Sequence, residues 1–229
     1  RGGARGGHGS VARTPSRGLN RDAGSQPVRT ETRRGATHGA CAPDAGDRPT
    51  LLSAAREPTR MKVGIVSDTH DDLDAVAVAV ELFEREAVDA VIHCGDFVAP
   101  FSVSPFEGDW AFHAVRGNND GEPAVQSTVE AFGEYHGEVA DLAFDGRSVA
   151  VYHGTSATLV DALVGCGDYD YVLHGHTHAH GVEERGGTVR VNPGGLPIPV
   201  AGADDAFRVA TLDTDREGPD AVTHYVLDR

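Results

Sequence analysis

The chain has 229 residues, 35 of them acidic and 20 basic, and a formal net charge of −15 at pH 7. That balance argues against general nucleic-acid binding through a basic surface, and no run approaches the roughly 18 apolar residues of a membrane span. Three widely spaced cysteines, Cys41, Cys94 and Cys166, form neither a disulfide framework nor a zinc cluster, so a reducing, cytoplasmic setting is expected.

Charge is divided unevenly along the chain. Residues 1–60 carry eleven Arg, no Lys and five acidic groups, with ten glycines and five prolines. Their only large aliphatic or aromatic side chains are Val11, Leu19, Val28, Leu51 and Leu52. Five such side chains cannot offset the entropy of ordering sixty residues, so 1–60 reads as a disordered Arg/Gly-rich extension. An arm for nucleic acid or an anionic membrane is one reading. The favoured one is sequence lying ahead of a start at Met61, the only methionine.

Residues 61–229 form the expected folded domain. They carry Lys62, eight Arg and thirty carboxylates. A basic partner or cationic substrate is one explanation. The near absence of Lys favours another, adaptation of the surface to concentrated salt, where acidic groups hold water and counter-ions.

Lys62–Ser67 is a short β-branched apolar run and reads as a buried strand. The polar turn Asp68-Thr69-His70-Asp71-Asp72 follows it. Leu73, Val76, Val80, Phe83 and Ala87 recur at helical spacing, with Asp71 or Asp72 as N-cap. Ala90–His93 is a strand ending in Cys94-Gly95-Asp96. Ala111–Val115 is another, ending in Arg116-Gly117-Asn118-Asn119-Asp120. Pro123 fits a first helical position, Val125, Val129 and Phe132 form a stripe, and Gly133 stops it. Glu138–Phe144 and Ser148–Tyr152 flank Asp145-Gly146, a hairpin signal, and the second strand ends in His153-Gly154. Ser156 caps a helix through Leu159, Leu163 and Val164. Tyr169–Leu173 is a strand ending in His174-Gly175-His176-Thr177-His178. Gly181–Glu184 and Val189–Val191 flank Gly186-Gly187, and Phe207–Asp213 and Ala221–Leu227 close the chain as strands. A βαβ first half and a strand-rich second half suggest an α/β fold of two packed sheets with helices outside.

Five strands thus end in ligand-type residues: Asp68 and His70, Asp96, Asn118, His153, and His176 with His178. In open α/β sheets, sites form beyond the carboxyl ends of strands, where residues distant in sequence converge. Imidazoles, carboxylates and an amide together suit Mn, Fe, Ni, Co or Zn rather than Ca or Mg alone. Seven candidates exceed what one ion with an open position needs, whereas two ions sharing a carboxylate use them all. Each motif taken singly is weak. Gly-Asp and Gly-Asn are usually turns, and only Gly-His-Thr-His has moderate specificity, since residues two apart on an extended segment point the same way. Their order and context carry the signal.

Asp68-x-His70, Gly95-Asp96, Gly117-Asn118-x-Asp120, His153-Gly154 and Gly175-His176-x-His178 resemble the signature of calcineurin-like metallophosphoesterases. Val191-Asn192-Pro193-Gly194 and the short length are similar to the family's small archaeal and bacterial phosphodiesterases. The resemblance spans Met61 to about Arg229. It implies a four-layer α/β/β/α sandwich with two mixed β-sheets. It implies two divalent transition-metal ions, Mn or Ni before Fe, Co or Zn. One would be held by Asp68, His70, Asp96 and His178, the other by Asp96, Asn118, His153 and His176, with Asp96 as the bridge. The reaction implied is attack of a metal-bridging hydroxide on a small phosphodiester, with phosphomonoester hydrolysis as an alternative. The fold also serves as an interaction scaffold in the retromer coat, where the metal site is degraded, but here all seven positions are filled. A homo-oligomer is compatible with this reading. A membrane or a nucleic-acid partner for the domain is not expected.

Two departures from the family pattern affect chemistry. Many relatives place a histidine, able to protonate the leaving group, where Asn119 stands; an amide cannot act as a general acid, though it can donate a hydrogen bond to a phosphoryl oxygen. Thr155 stands where relatives often have His. Among other residues, His93 and His174 read as hydrogen-bonded strand-end histidines, His136 and His180 as solvent-facing, and Cys94 and Trp110 as core. Arg116 is the one basic group placed to meet a phosphate or, alternatively, a surface carboxylate.

Overall fold

The computed structural model describes residues 60–228. The expected extension 1–60 therefore lies outside the described residues, save for Arg60. Eleven strands and three helices follow in the described region: β1 (Lys62–Val66), α1 (Leu73–Glu86), β2 (Ala90–His93), β3 (Ala111–Ala114), α2 (Pro123–Val129), β4 (Glu134–Tyr135), β5 (Val139–Phe144), β6 (Arg147–Tyr152), α3 (Ala157–Cys166), β7 (Tyr171–Leu173), β8 (Gly181–Arg185), β9 (Thr188–Asn192), β10 (Phe207–Asp213) and β11 (Val222–Leu227).

The strands form two mixed sheets. The first runs β11-β10-β1-β2-β3-β4 and the second β5-β6-β7-β9-β8. In the first, β1 to β4 are mutually parallel, while β10 and β11 run antiparallel at one edge. In the second, β6, β7 and β9 are parallel and flanked by antiparallel β5 and β8.

Alternation along each strand sorts side chains into separate cores. Val63 and Ile65 of β1 face Val149 and Val151 of β6, Leu173 of β7 and Val191 of β9, the seam between the sheets. Val66, Phe112 and Ala114 face the other way, onto Val76, Ala79 and Phe83 of α1 and Val125 and Val129 of α2. Ala150, Tyr152 and Val172 pack on Val160 and Val164 of α3. The layers are helix, sheet, sheet, helix, as the resemblance implies.

Local signals place the elements well. Asp72 is the N-cap of α1, accepting from the Ala75 N–H at 2.9 Å. Ser156 caps α3, and Asp145 and Gly146 both take positive φ, 49° and 82°, in the β5–β6 turn, the signature of a type I′ hairpin. The helical stripe was misplaced. The buried face of α1 is Ala75, Val76, Ala79, Leu82 and Phe83, whereas Leu73 is 47% exposed. Leu159 is likewise exposed, and Val160 takes its place on the buried face of α3. The two-residue strand β4 had no expectation, because Glu134-Tyr135 is too short to show a period.

Candidate metal centre at the strand ends

The carboxyl ends of β1, β2 and β3 in one sheet and of β6 and β7 in the other meet at a single cleft. Its volume is about 340 Å³, and His70, Asp96, Asn118, Asn119, His176, His178, Leu196, Pro197 and Ile198 line it. Asp68 and His153 lie just beneath, 0% and 1% exposed.

The backbone leaves regular geometry at these residues. Asp68, His70, Asp96, His176 and His178 all have φ between 41° and 69°. Left-handed backbone at a non-glycine residue costs about 1–3 kcal/mol and clusters where surrounding structure enforces it for function. Close approach of the loops adds a second constraint. A Cβ at Gly117 would overlap Asp96, and one at Gly175 would overlap Ser67 and Asp68.

Two lobes share the cleft. In the first, Nε2 of His70 and Nε2 of His178 stand 3.2 Å apart. Oδ1 of Asp68 lies 3.5 Å from the His178 nitrogen and 3.9 Å from the His70 nitrogen. Nδ1 of His178 donates to the Leu196 carbonyl at 2.6 Å, so its Nε2 offers a lone pair to the cleft. In the second lobe, Nε2 of His153 is 3.4 Å from Asp96 Oδ2 and 3.0 Å from Asn118 Oδ1. Nδ1 of His153 donates to the Cys94 carbonyl at 2.8 Å, again turning a lone pair inward. Asp96 Oδ2 faces both lobes, since it is also 3.7 Å from His70 Nε2. His176 holds its backbone N–H on Asp68 Oδ2 at 2.9 Å. Its ring stands edge-on to His153 with centroids 5.2 Å apart, but it joins neither of the two ligand clusters, Asp68/His70/His178 and Asp68/Asp96/His153.

These donor sets fit divalent ions. Asp68 Oδ1 is buried and has no hydrogen-bond partner among the described residues, which is costly for a carboxylate unless a cation meets it. Ligand atoms 2.0–2.2 Å from one ion stand about 3–3.5 Å apart, close to the spacings just given. Acceptors converge in each lobe with few protons to share.

Electrostatics follow from the same contacts. Burial is the largest influence on Asp68 and raises its pKa, with His153, Ser67 and His178 opposing. Burial would raise Asp96 too, but the hydrogen bond and charge of His153 and two bonds from Asn119 outweigh it, and Asp96 lies well below the usual carboxylate range. Burial opposes charging of His153, yet Asp96 and Asp68 carry its pKa above the ordinary value.

Several supports escaped the sequence reading. Asp120 bonds the backbone N–H groups of Gly117 at 2.7 Å and Asp96 at 3.0 Å through Oδ2, and that of Val98 at 2.8 Å through Oδ1. It thereby ties the β2 and β3 loops together. Its place in Gly-Asn-x-Asp was the signal. Asn192 donates to the Gly175 carbonyl and to Thr177 Oγ1, bracing the His176–His178 loop. Asn119 donates its backbone N–H to Asp96 Oδ1 and its Nδ2 to Asp96 Oδ2, both at 2.8 Å. The apolar lip of Leu196, Pro197 and Ile198 carried no signal in sequence. Arg116 lies outside the cleft lining, bonded to the Asp120 carbonyl at 3.3 Å and Glu138 at 3.3 Å. His93 is fully buried, accepts from the Gly95 N–H at 3.1 Å, and shares a hydrogen bond with Thr69 at 3.1 Å.

The family model for the calcineurin-like phosphoesterase superfamily domain matches residues 61–217. The chain is 37% identical over 138 residues to a phosphodiesterase of Methanocaldococcus jannaschii, covering 58% of this chain and 83% of that protein. It is 27% identical over 161 residues to a probable metallophosphoesterase of Bacillus subtilis, covering 68% and 86% respectively. A solved archaeal phosphodiesterase superposes with a TM-score of 0.66 at 32% identity, covering 73% of this chain and all of that one. The chain therefore belongs to the calcineurin-like phosphoesterase superfamily, and its activity is the metal-dependent hydrolysis of phosphoric esters.

Proposed function

We propose that this chain is a dinuclear phosphodiesterase in which Asp68, His70, Asp96 and His178 hold one divalent ion and Asp96, Asn118, His153 and His176 hold the other. The observation that carries the reading is the buried Asp68 Oδ1, without a hydrogen-bond partner among the described residues, 3.5 Å from His178 Nε2 and 3.9 Å from His70 Nε2, beside Asp96 Oδ2, which is 3.7 Å from His70 Nε2 and 3.4 Å from His153 Nε2. When bound, such ions supply an activated water and stabilise charge on the phosphoryl oxygens. The mixed N/O set suits Mn, Fe, Ni, Co or Zn, and the family resemblance puts Mn or Ni first.

The protein's own residues do the rest. Asn119 holds both oxygens of Asp96 and so fixes how that carboxylate presents to either lobe. The Leu196-Pro197-Ile198 lip offers an apolar wall for an organic substituent on phosphorus. Among the described residues, no Lys or Arg lines the cleft, which disfavours a dianionic monoester relative to a monoanionic diester. The test is turnover of bis(4-nitrophenyl) phosphate against 4-nitrophenyl phosphate after reconstitution with each metal. A monoester preference with every metal would refute the diester reading.

The acidic surface of 61–229 fits a salt-rich cytoplasm, since self-repulsion is relieved by screening. Unfolding temperature should rise with molar KCl. A protein equally stable in dilute buffer would refute that adaptation.

A further inference from the structure

Away from the cleft, β3 and β4 bring together another set of ligand-type side chains. His113 and Glu134 are direct neighbours across the parallel pair. His136 follows, its backbone N–H donating to the Ala114 carbonyl at 2.9 Å. Nδ1 of His113 stands 3.2 Å from Nε2 of His136. Oε2 of Glu134 is 3.9 Å from that same nitrogen, and the three ligand atoms all lie within 4.8 Å of one another. None of these residues lines the cleft.

We infer that His113, Glu134 and His136 form a separate, structural site for one divalent transition ion of the zinc, nickel or copper class, joining edge strand β4 to β3.

The geometry is that of ligands sharing an ion. Two imidazole nitrogens at 2.0–2.1 Å from a tetrahedral ion stand about 3.3 Å apart, and here the separation is 3.2 Å. Two imidazoles and one carboxylate favour such ions over Mg or Ca, which take all-oxygen sets. His113 is held in place by the Phe144 ring, which meets it edge-on with centroids 5.7 Å apart. Burial, with Glu134 opposing and His136 reinforcing, keeps the His113 pKa below the ordinary value. The Glu134 side chain is 70% exposed, which gives an ion a way in from solvent and lets the carboxylate swing the short remaining distance. The fold has a use for the link. β4 is two residues long and, among the described residues, pairs only with β3, and β3 leads into Gly117 and Asn118. The expectation that His136 faces solvent is overturned by its packing against His113, with ring planes 29° apart.

Zinc is the probe, used on the full chain. After dialysis to equilibrium at about 10 µM free zinc near neutral pH, the unmodified protein should hold one more ion per chain than His136→Gln. The exposed substitution Glu134→Gln leaves packing alone and should weaken that ion about tenfold. Zinc should raise the unfolding temperature of the unmodified protein more than that of His136→Gln, with diester turnover unchanged. In an Asp96→Ala background, where the cleft is disabled, about one ion should remain and His136→Gln should abolish it. That arm separates failure of this site from failure of the cleft assignment. Equal zinc content in the unmodified protein and both single variants would overturn the inference.

Discussion

The two lobes of the cleft solve the same electrostatic problem differently. In the His153 lobe, a proton can stand in for a cation. His153 has a raised pKa beside Asp96, and Asn119 already satisfies both Asp96 oxygens. In the Asp68 lobe the facing imidazoles of His70 and His178 share a hydrogen bond at 3.2 Å, while Asp68 Oδ1 is buried without a hydrogen-bond partner among the described residues. One lobe is self-satisfied when empty and the other is not. The Asp68 lobe should therefore hold its ion more tightly, and graded chelation should remove the ion of the His153 lobe first.

The sharpest way to break this comparison is to remove the group both lobes share. Asp96→Ala should lose both cleft ions and lower diester turnover by about 10³-fold or more, whereas Asn119→Ala should cost far less, since it only loosens the carboxylate. Retention of two cleft ions by Asp96→Ala, counted in the His136→Gln background, would mean that the lobes are independent.

The next effect is read in acid, behind the His153 lobe. Burial, reinforced by Arg190, pushes the His174 pKa down to about 4, and its Nε2 accepts from Arg190 Nε at 2.9 Å. The unfolded chain takes up this proton below about pH 6.5, the folded protein only near 4, so stability falls as pH drops between them. The difference corresponds to about 3 kcal/mol at most. His174→Gln should flatten the pH dependence of metal-free unfolding in that window, and an unchanged slope would show that His174 is not responsible.

The smallest effect distinguishes the lobes most directly. Burial raises the Asp68 pKa, so in metal-free protein its charge destabilises the fold increasingly as pH rises above the ordinary carboxylate value. Asp68→Asn should then stabilise metal-free protein by about 1–2 kcal/mol at neutral pH, yet lower stability relative to the unmodified protein once metal is added. Chemical unfolding with and without chelator measures both signs. A loss of stability in both conditions would show that Asp68 is satisfied without an ion.

Much of this arrangement is legible in the sequence because strand ends and ligand residues coincide. β1, β2, β3, β6 and β7 each run as a short apolar segment into a polar turn, and the parallel topology gathers those turns. What stayed hidden depends on tertiary contacts. The left-handed backbone at Asp68, Asp96 and His178 leaves no trace in residue type, since each looks like an ordinary turn residue. The Leu196-Pro197-Ile198 lip reads as an unremarkable loop until it is folded over the cleft. Asn119 looked free to meet a phosphoryl oxygen, yet its amide is committed to Asp96. Leu73 and Leu159 mislead for a simpler reason: apolar character does not decide which helix face is covered when smaller residues such as Ala75 and Ala79 pack closer.

The pairing of β1 with β10 has a consequence during synthesis. Lys62–Val66 can pair with its parallel neighbour β2 once Ala90–His93 has been made, but its other edge has no partner until Phe207–Asp213 leaves the ribosome. For that interval, a central, apolar strand presents unpaired backbone groups, the kind of surface that recruits other chains. Asp68, Asp96 and Asn118 are also made before His153, His176 and His178, so the nascent chain carries acidic ligands without their imidazole counterparts. Assembly of the cleft thus waits on the completion of both sheets, and a chaperone or rapid C-terminal docking would guard that open edge meanwhile.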